Sequence, residues 1–455
     1  MRVDQKKIYQ TMESFGTSGA WWAQYVGGFT EQTKEKGVST REAVAALLFD
    51  RQRGIGLTNY RFNLGAGSKE SGKGVYWDEY RRAASLEHTP GRYDFDRDRH
   101  AVWFLKKAVS LGVEEVVLFC NSPLERLTDN GSAQMTPGKK SNIRPENYRP
   151  FAVYCMDIAE RFLQDGIPVR VISPINEPQW DWESGQEGCH YEPKEMRALY
   201  RVFAEELETR PALKEVSLGG PESGEWKGRA EEYTEAILRD DVLRRHFKSI
   251  DNHSYWSDAR DKERFRTWMD ETYPDVKLRM SEWCEMVNGS DVSMDSALCL
   301  ARVLAEDLRI LDVVSWQNWV AAAPGGYRDG LVYINRETQE YCETKRLWSF
   351  GNFSRFVRPG YVRIGITGDN EEQEKLLPTA FVGGNETGER ELVMVFVNEG
   401  EEERGFFLSG AADYSRIRIV ETSEKNSLVC TQDGIWEQQE IRLSKRSVTT
   451  VILNG

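Results

Sequence analysis

Hydrophobic and polar positions follow one repeating order over the first three quarters of the 455-residue chain. Short apolar runs, typical of buried β-strands, precede longer stretches in which apolar residues recur with the spacing of amphipathic helices. The predicted strands cover residues 13–22, 58–65, 115–121, 169–175, 215–220, 250–255, 276–282 and 313–319. The predicted helices cover residues 39–53, 96–111, 144–165, 192–210, 229–248, 259–272, 294–311 and 339–357.

This alternation predicts the fold class. Strands that alternate with single helices form a parallel sheet, because each crossover helix returns the chain to the same end of the sheet. Eight such units in a row predict a closed (β/α)8 TIM barrel. Gly54, Gly112 and Gly166 stand just past predicted helix ends, where a left-handed residue lets the next strand begin.

Beyond residue 358 the pattern changes to a period of two. Residues 392–397 and 447–453 are runs of this kind, and turns containing Asn, Gly or Asp separate them. This pattern predicts a side-attached antiparallel β-sandwich, to which the short N-terminal segment 2–11 adds a strand. We therefore predict a barrel over residues 13–358 and a β-sandwich domain from residues 1–12 plus 359–455.

Composition restricts the classes of binding partner and the expected cellular compartment. The formal charge of −13 opposes binding to nucleic acid or an acidic membrane surface, because the field of the whole protein repels polyanions. No apolar run approaches the ~20 residues of a membrane span, and no signal sequence is recognisable, so a cytoplasmic protein is expected. The seven cysteines are scattered and odd in number, which favours free thiols.

Two predicted strands run into a carboxylate. The fourth leads to Glu177 in the sequence VISPINEP (171–178), and the seventh ends at Glu282 in KLRMSEW (277–283). Side chains at the C-terminal ends of barrel strands face the mouth of the barrel, and strands four and seven lie across it from one another. Two carboxyl groups about 5–5.5 Å apart can break a glycosidic bond with retention of configuration. We therefore predict Glu177 and Glu282 as a catalytic pair.

Four polar residues are expected around this pair. Arg61, at the end of the second strand, is the expected positive charge that keeps Glu282 ionised. Asn176 stands beside the acid and can hold a sugar hydroxyl. His253 and Tyr255, two positions apart at the end of the sixth strand, can both face the mouth, where Tyr255 can hydrogen-bond the nucleophile of the pair and His253 can hold a sugar hydroxyl or the acid. A polar pair in the upper core is the alternative. The other histidines are scattered, so no metal site is predicted.

Tryptophan is abundant, with 14 residues, and indole faces stack well on sugar rings. Nine of them lie at or after predicted strand ends and are expected at one rim of the barrel: Trp21, Trp22, Trp180, Trp182, Trp226, Trp256, Trp283, Trp316 and Trp319. Five of these are the substrate-binding candidates: Trp21, Trp22, Trp180, Trp316 and Trp319. A place in the core is the alternative for each, and the weaker interpretation for at least half.

Over nearly its whole length the chain resembles family 30 of the glycoside hydrolases. The resemblance rests on Asn176-Glu177-Pro178, Ser281-Glu282-Trp283, Arg61, His253-Ser254-Tyr255 and Trp316-Gln317-Asn318-Trp319. It implies a (β/α)8 barrel with a β-sandwich built from both chain ends, retention of configuration and no cofactor. It also implies that Glu177 is the acid/base and Glu282 the nucleophile.

Two segments, FGTSGAWWA (15–23) and RFNLG (61–65), resemble the branch of the family that acts on β-1,6-linked galactan, and the second adds Asn63 to the substrate-binding residues. The expected function is hydrolysis of β-galactosides, with an oligosaccharide or polysaccharide as substrate. The same chemistry on β-1,6-glucan, xylan or β-glucosides is one alternative, and a non-catalytic carbohydrate-binding protein is another. Endo or exo action and the oligomeric state stay open.

Overall fold

The computed structural model describes residues 1–455 except 34, 36, 75, 77, 136, 137, 139, 140, 184 and 386. The strands are β1 (Arg2–Thr11), β2 (Ser14–Ser18), β3 (Asn59–Asn63), β4 (Glu87–Thr89), β5 (Arg92–Tyr93), β6 (Glu115–Phe119), β7 (Val169–Ser173), β8 (Ser217–Leu218), β9 (Pro221–Ser223), β10 (Ser249–His253), β11 (Lys277–Trp283), β12 (Ser315–Ala323), β13 (Gly330–Ile334), β14 (Tyr341–Glu343), β15 (Val362–Thr367), β16 (Thr379–Gly384), β17 (Arg390–Asn398), β18 (Arg404–Phe406), β19 (Arg416–Thr422), β20 (Val429–Ile435), β21 (Ile441–Leu443) and β22 (Ser447–Asn454).

The α-helices are α1 (Ala23–Val26), α2 (Thr40–Phe49), α3 (Ser68–Ser71), α4 (Arg99–Ser110), α5 (Tyr148–Gln164), α6 (Pro193–Glu208), α7 (Ala230–Leu238), α8 (Asp241–Arg244), α9 (Ala259–Thr272), α10 (Met294–Ile310), α11 (Lys345–Ser354) and α12 (Glu371–Glu374). Short 3-10 helices cover Glu79–Arg81, Phe95–Asp98, Glu125–Leu127, Pro145–Asn147 and Pro211–Leu213.

The larger sheet is a ring of parallel strands. Its order is β8-β7-β6-β3-β2-β12-β11-β10-β9, and every neighbouring pair on this path is parallel. The two ends of the path, β8 and β9, are halves of one barrel strand separated only by Gly219 and Gly220. The Gly219 amide donates to Ile172 on one side, and the Gly220 carbonyl accepts from Asp251 on the other. The ring is therefore closed, as predicted for a (β/α)8 barrel.

Most barrel elements agree with the prediction to within a few residues, and three differ. The fifth strand does not end at Gly220, because β9 continues it and carries Glu222. The helix predicted over 229–248 is divided into α7 and α8, since the side chain of Asp240 caps the amides of Val242 and Leu243 and starts a new helix. The last predicted helix begins only at α11, where Thr344 caps it after the hairpin of β13 and β14.

Seven further strands form an antiparallel sheet in the order β1-β15-β16-β17-β22-β19-β20, and β18 pairs with β21 in a separate antiparallel sheet of two strands. Strand β1 pairs with β15, so the N-terminal segment joins the C-terminal sheet as predicted. Residues of β17 alternate in direction: Val393, Val395 and Val397 belong to the main core that includes α10 and α11. Leu392, Met394 and Phe396 belong to a smaller core shared with β18 and β21.

Alternation along one strand thus lets a single sheet bury both of its faces. The limits of the two domains stay a prediction. All seven cysteines are free, as expected. Among the described residues, no helix is both long enough and apolar enough to cross a bilayer.

Candidate active site

The two predicted catalytic carboxylates meet at the mouth of the barrel. Glu282 lies within β11, and Glu177 follows the end of β7 by four residues. One oxygen of Glu177 and one of Glu282 lie within 4.8 Å of each other. This separation fits the about 5–5.5 Å of retaining pairs rather than the about 6.5–9.5 Å of inverting pairs, which leave room for a water.

Glu177 has an unusual backbone conformation. Its φ of 43° is in the left-handed region, which costs a non-glycine residue about 1–3 kcal/mol and persists only where surrounding contacts fix it. One such contact is a hydrogen bond of 2.9 Å from the Glu177 amide to the carbonyl of Glu222. A Cβ placed on Gly224 would lie 2.7 Å from Glu177 Oε1, so this wall of the site requires glycine.

Two donors orient the carboxylate of Glu282. Arg61 Nη1 lies 2.5 Å from Glu282 Oε2, and the Tyr255 hydroxyl donates to Glu282 Oε1 over 3.1 Å. Both contacts are those predicted from the sequence. Burial raises the pKa of Glu282 above its ordinary value, and the positive charges of His253 and Arg61 oppose that rise. The guanidinium and the phenol therefore stabilise the ionised form in a fixed orientation.

His253 bridges carboxylates on both sides of its ring. Its Nδ1 lies 3.2 Å from Glu177 Oε1, and its Nε2 lies 3.0 Å from Glu222 Oε2. Glu282 Oε1 is 3.6 Å from the same Nδ1. Burial alone would lower the pKa of His253, but the three carboxylates raise it to about 10. The ring is therefore an imidazolium near neutral pH, and both nitrogens donate.

The two predicted asparagines have different surroundings. Arg61 Nη2 donates to Asn176 Oδ1 over 2.8 Å, which fixes the amide so that its NH2 group points away from the guanidinium. Asn63 is half-buried at the end of β3, and its Oδ1 has no partner among the described residues. Together with Trp21 it lines a cavity of about 10 Å³, which holds about one water and no sugar ring.

Two indoles form an exposed platform beside the acid. Trp180 is 38% exposed and Trp256 is 51% exposed, and their rings meet edge to face with centroids 5.6 Å apart. A Cβ on Gly224 would lie 3.2 Å from Trp180 Nε1 as well as close to Glu177, so the platform adjoins the acid directly. Large exposed aromatic surfaces of this kind mark binding sites.

The expectation that at least half of the nine tryptophans lie outside the core is wrong, because six of them are buried. Trp22 and Trp316 are fully buried and cannot stack on a sugar in this structure. Trp22 donates to the Ser18 carbonyl and packs on Phe104, while Trp316 donates to Asp307. Hydrogen-bonded indoles of this type belong to the core, because both the ring and its polar edge are satisfied there.

The other indoles are distributed between the core and the rim. Trp226 is fully buried, Trp283 is almost buried, and Trp182 is half-buried. Trp21 and Trp319 are almost buried and meet edge to face at 5.2 Å. Trp21 Nε1 has no hydrogen-bond partner among the described residues, and neither do the side-chain amide atoms of Gln179, which adjoins Glu177.

A third buried carboxylate, Glu222, was missed by the sequence reasoning. It contacts Arg61 at 3.4 Å and His253 at 3.0 Å, directly beneath the predicted pair. The rule that located Glu177 and Glu282, a carboxylate at a strand end, applies to it as well. The sequence pattern does not reveal it, because Gly219, Gly220 and Pro221 are residues typical of a strand terminus.

Glu177, His253 and Glu282 also have atoms close enough together to hold a metal ion. The local charges disfavour this use. The Arg61 guanidinium already occupies one oxygen of Glu282, and a metal would require His253 to give up a proton that three carboxylates hold. The geometry therefore fits acid–base chemistry by the carboxyl groups better than metal binding.

Comparison with known proteins agrees with this geometry. Residues 1–333 match the family model described as O-glycosyl hydrolase family 30. An endo-β-1,6-galactanase of Hypocrea rufa is 26% identical over 239 residues, which are 46% of this chain and about half (47%) of that protein. The glucuronoxylanase XynC of Bacillus subtilis is 22% identical over 355 residues, covering 73% of this chain and 71% of that protein.

Among solved structures, a conserved exported protein from Bacteroides fragilis superimposes with a TM-score of 0.87. It is 24% identical, and the match covers 99% of both chains. At this identity the likeness establishes the fold alone.

Proposed function

Because the chain belongs to O-glycosyl hydrolase family 30, we propose that it hydrolyses β-galactosidic bonds with retention of configuration, Glu282 acting as nucleophile and Glu177 as acid/base. The observation that carries this proposal is the pair of carboxyl oxygens within 4.8 Å at the barrel mouth. In the first step a Glu282 oxygen attacks the anomeric carbon, the glycosidic C–O bond breaks, and the Glu177 proton passes to the leaving oxygen.

In the second step Glu177 takes a proton from water, whose oxygen attacks the anomeric carbon and displaces Glu282. The contacts support this division of roles. Arg61 and Tyr255 donate to Glu282 and favour its ionised form. His253 donates to Oε1 of Glu177, so the acid's own proton is directed to Oε2, away from the histidine.

Several groups are available to bind the sugar. The NH2 group of Asn176, the Nε1 of Trp21 and the amide of Gln179 are donors suited to hydroxyl groups, and the buried ones would otherwise lack partners. The exposed pair Trp180 and Trp256 adjoins the acid, so we place the leaving-group sugar on this platform.

We propose β-1,6-linked galactan or its oligosaccharides as substrate. The support is the resemblance at residues 15–23 and 61–65 and the 26% identity to an endo-β-1,6-galactanase. Xylan is the second candidate, favoured by the identity to a glucuronoxylanase over a larger share of the chain. We also propose that the two antiparallel sheets constitute the predicted β-sandwich domain, residues 1–12 plus 359–455. The cytoplasmic location stays a prediction.

Product analysis tests the substrate. Purified protein is incubated with β-1,3-, β-1,4- and β-1,6-galactooligosaccharides, with xylan and β-1,6-glucan in parallel, and the anomer formed first is followed by proton NMR. We expect cleavage of the β-1,6-galactosides and a β-anomer as the first product. Preferential cleavage of xylan or glucan would show that this polysaccharide, and not galactan, is the substrate. A first-formed α-anomer would contradict retention.

A further inference from the structure

Glu222 is fully buried and has no part in the two proposed chemical steps. Its side chain nevertheless makes polar contacts with four residues. Oε1 accepts from the Ser173 hydroxyl over 2.8 Å, and Oε2 accepts from the Ser281 hydroxyl. Oε2 also lies 3.0 Å from His253 Nε2 and 3.4 Å from Arg61 Nη2. Burying a charge so completely is costly unless the surrounding contacts compensate for it, and these contacts do.

The two cationic partners of Glu222 each contact one of the proposed catalytic carboxyl groups. His253 bonds Glu177 through its other nitrogen, and Arg61 bonds Glu282 through its other terminal nitrogen. The main chain adds a further link, because the Glu222 carbonyl accepts the amide of Glu177. A single side chain therefore positions the cation beside the acid and the cation beside the nucleophile.

The backbone supports the same interpretation. Glu222 has a φ of 58° and the Glu177 bonded to it has a φ of 43°, so both are left-handed non-glycine residues. Such conformations cluster where a side chain must be held in one exact place by its surroundings.

The charges at the barrel mouth can be counted. The upper cluster, as we define it, comprises three carboxyl groups and two cations: Glu177, Glu222, Glu282, Arg61 and His253. With all carboxyl groups ionised the cluster is charged −1, and it becomes neutral when one of them holds a proton. Arg61 and His253 lower the pKa of Glu222 in spite of burial, so that proton does not reside on Glu222.

We infer that Glu222 is a positioning residue for the hydrolysis proposed above: its buried charge holds His253 as an imidazolium and shares Arg61 with Glu282, and it thereby orients both proposed catalytic carboxyl groups. This inference rests on the proposed function. It adds a third carboxyl group to the machinery, one that touches no reacting atom. Titratable or charged groups face Glu222 from every element around it: Arg61 on β3, Glu177 after β7, Tyr200 on α6, Asp251 and His253 on β10, and Glu282 on β11.

Glu222→Gln is a suitable test because it removes the charge and keeps the shape. An amide oxygen at the Oε2 position still accepts from Ser281, His253 and Arg61, and an NH2 group at the Oε1 position donates to the Ser173 hydroxyl. Glu222→Asp keeps the charge on a shorter side chain. Glu115→Gln is the matched control, since it neutralises a buried carboxylate that pairs with Arg279 and has no contact with the upper cluster.

The first readout needs no substrate. The protein contains five histidines, so the His253 ring can be assigned by 15N NMR with a His253→Asn variant and titrated in each protein. We expect the His253 titration midpoint to fall by at least one pH unit in Glu222→Gln and to stay within half a unit of wild type in Glu222→Asp and Glu115→Gln. An unchanged midpoint in Glu222→Gln would overturn the inference.

The second readout is the pH profile of kcat/KM on any glycoside that the wild type cleaves. Removing one negative charge makes the upper cluster lose its first proton at lower pH, so the alkaline limb should move to lower pH in Glu222→Gln. We expect kcat to fall about 10–100-fold with KM changed less than threefold, and partial recovery in Glu222→Asp. A fall in kcat without a shift of either limb of the pH profile would show that Glu222 has only a structural role.

The two readouts separate the two proposals. If the wild type cleaves no glycoside but the His253 midpoint still moves in Glu222→Gln, the proposed function fails while the electrostatic role of Glu222 stands. The opposite outcome is also distinguishable. If the wild type cleaves β-galactosides with retention, but Glu222→Gln changes neither the His253 titration midpoint nor the alkaline limb of the pH profile, the proposed function stands and the positioning role is overturned.

Discussion

Two clusters of buried charge lie inside the same barrel, and they are built alike. The upper cluster at the mouth has three carboxyl groups and two cations. Nearer the N-terminal ends of the strands, a lower cluster comprises Glu115, Asp251 and Arg279, with the Arg279–Glu115 ion pair at 2.6 Å. Each cluster has one carboxyl group more than it has cations, so each is neutral only when one acid keeps its proton.

The difference lies in the surroundings of the acids. In the lower cluster, burial raises the pKa of Asp251 to about 7, and the acid is enclosed between strands and bonded to the Ser249 hydroxyl. In the upper cluster Glu177 adjoins the exposed indole of Trp180. Burial and pairing are shared by both clusters. Access from the mouth of the barrel distinguishes the upper cluster from the lower one.

The largest expected effect comes from removing the nucleophile. Glu282→Gln should lower kcat/KM for any cleaved glycoside by about 10⁴-fold or more, because the covalent step has no other group to perform it. Initial rates with an aryl β-galactoside measure this loss. Activity within tenfold of wild type would show that the upper cluster is not the catalytic one.

Glu177→Ala should separate the two steps. With a poor leaving group we expect a loss of about 10²–10⁴-fold, the usual contribution of general acid catalysis, and a much smaller loss of the first step with an activated aryl glycoside. Added azide should then rescue turnover and yield a β-glycosyl azide, identified by NMR. Equal losses on both leaving groups would argue against an acid role for Glu177.

Glu115→Gln tests the structural cluster. Removing the Glu115 charge leaves Arg279 with Asp251 as its remaining carboxyl partner, so the free energy of unfolding should fall by at most about 3–5 kcal/mol. Urea denaturation measures the change. The folded variant should keep the wild-type pH profile of kcat/KM, and a shift of either limb would mean that the two clusters act as one.

Trp180→Ala probes access at the mouth. Loss of one stacking face should raise KM for an oligosaccharide about 5–20-fold, corresponding to the roughly 1–2 kcal/mol expected of a partly exposed aromatic contact. A small aryl glycoside without a leaving-group sugar should be cleaved normally. Trp348→Ala, which changes a half-buried indole on α11, is the control. It should change KM for neither the oligosaccharide nor the aryl glycoside.

For Asp251→Asn the sign of the effect depends on pH. A carboxyl group whose pKa is higher in the folded state than in the unfolded state binds more protons when folded, so wild-type stability falls as pH rises between about 4 and 7. An asparagine does not titrate. Relative to wild type, the Tm of the variant should therefore be higher at pH 8 than at pH 5, as followed by thermal melting, whereas a constant difference would contradict the assignment.

Sequence alone was enough to predict the ring of parallel strands and the approach of Glu177 and Glu282 at its mouth, because both depend on local pattern. The strand that carries Glu282 is an apolar run of ordinary length, and the closed ring follows from eight repeats of one unit. The contact of Tyr255 with Glu282 was predictable because Tyr255 follows the end of β10 by two residues, and Arg61 was predictable as the nearby positive charge although it lies within β3.

The errors have a different origin. Glu222 lies beyond two glycines and a proline that interrupt its strand, and only the pairing of β9 with β10 shows that the strand resumes. Trp22 and Trp316 were expected at strand ends, but Trp316 lies near the start of β12. Whether such an indole is covered depends on neighbours from other elements, here Phe104 for Trp22 and Asp307 for Trp316. Tertiary neighbours of this kind leave no signature in the local pattern.

The most direct test of the proposed catalytic roles is covalent labelling of the nucleophile. An activated 2-deoxy-2-fluoro-β-galactoside should transfer its sugar slowly to Glu282 as its leaving group departs, and the resulting glycosyl-enzyme should hydrolyse more slowly still. Mass spectrometry of the tryptic peptide covering residues 280–302, with fragmentation to distinguish Glu282 from Glu285, identifies the site. We predict one sugar on Glu282. A label on another residue, or turnover of the parent galactoside without any label, would contradict the roles assigned to the upper cluster.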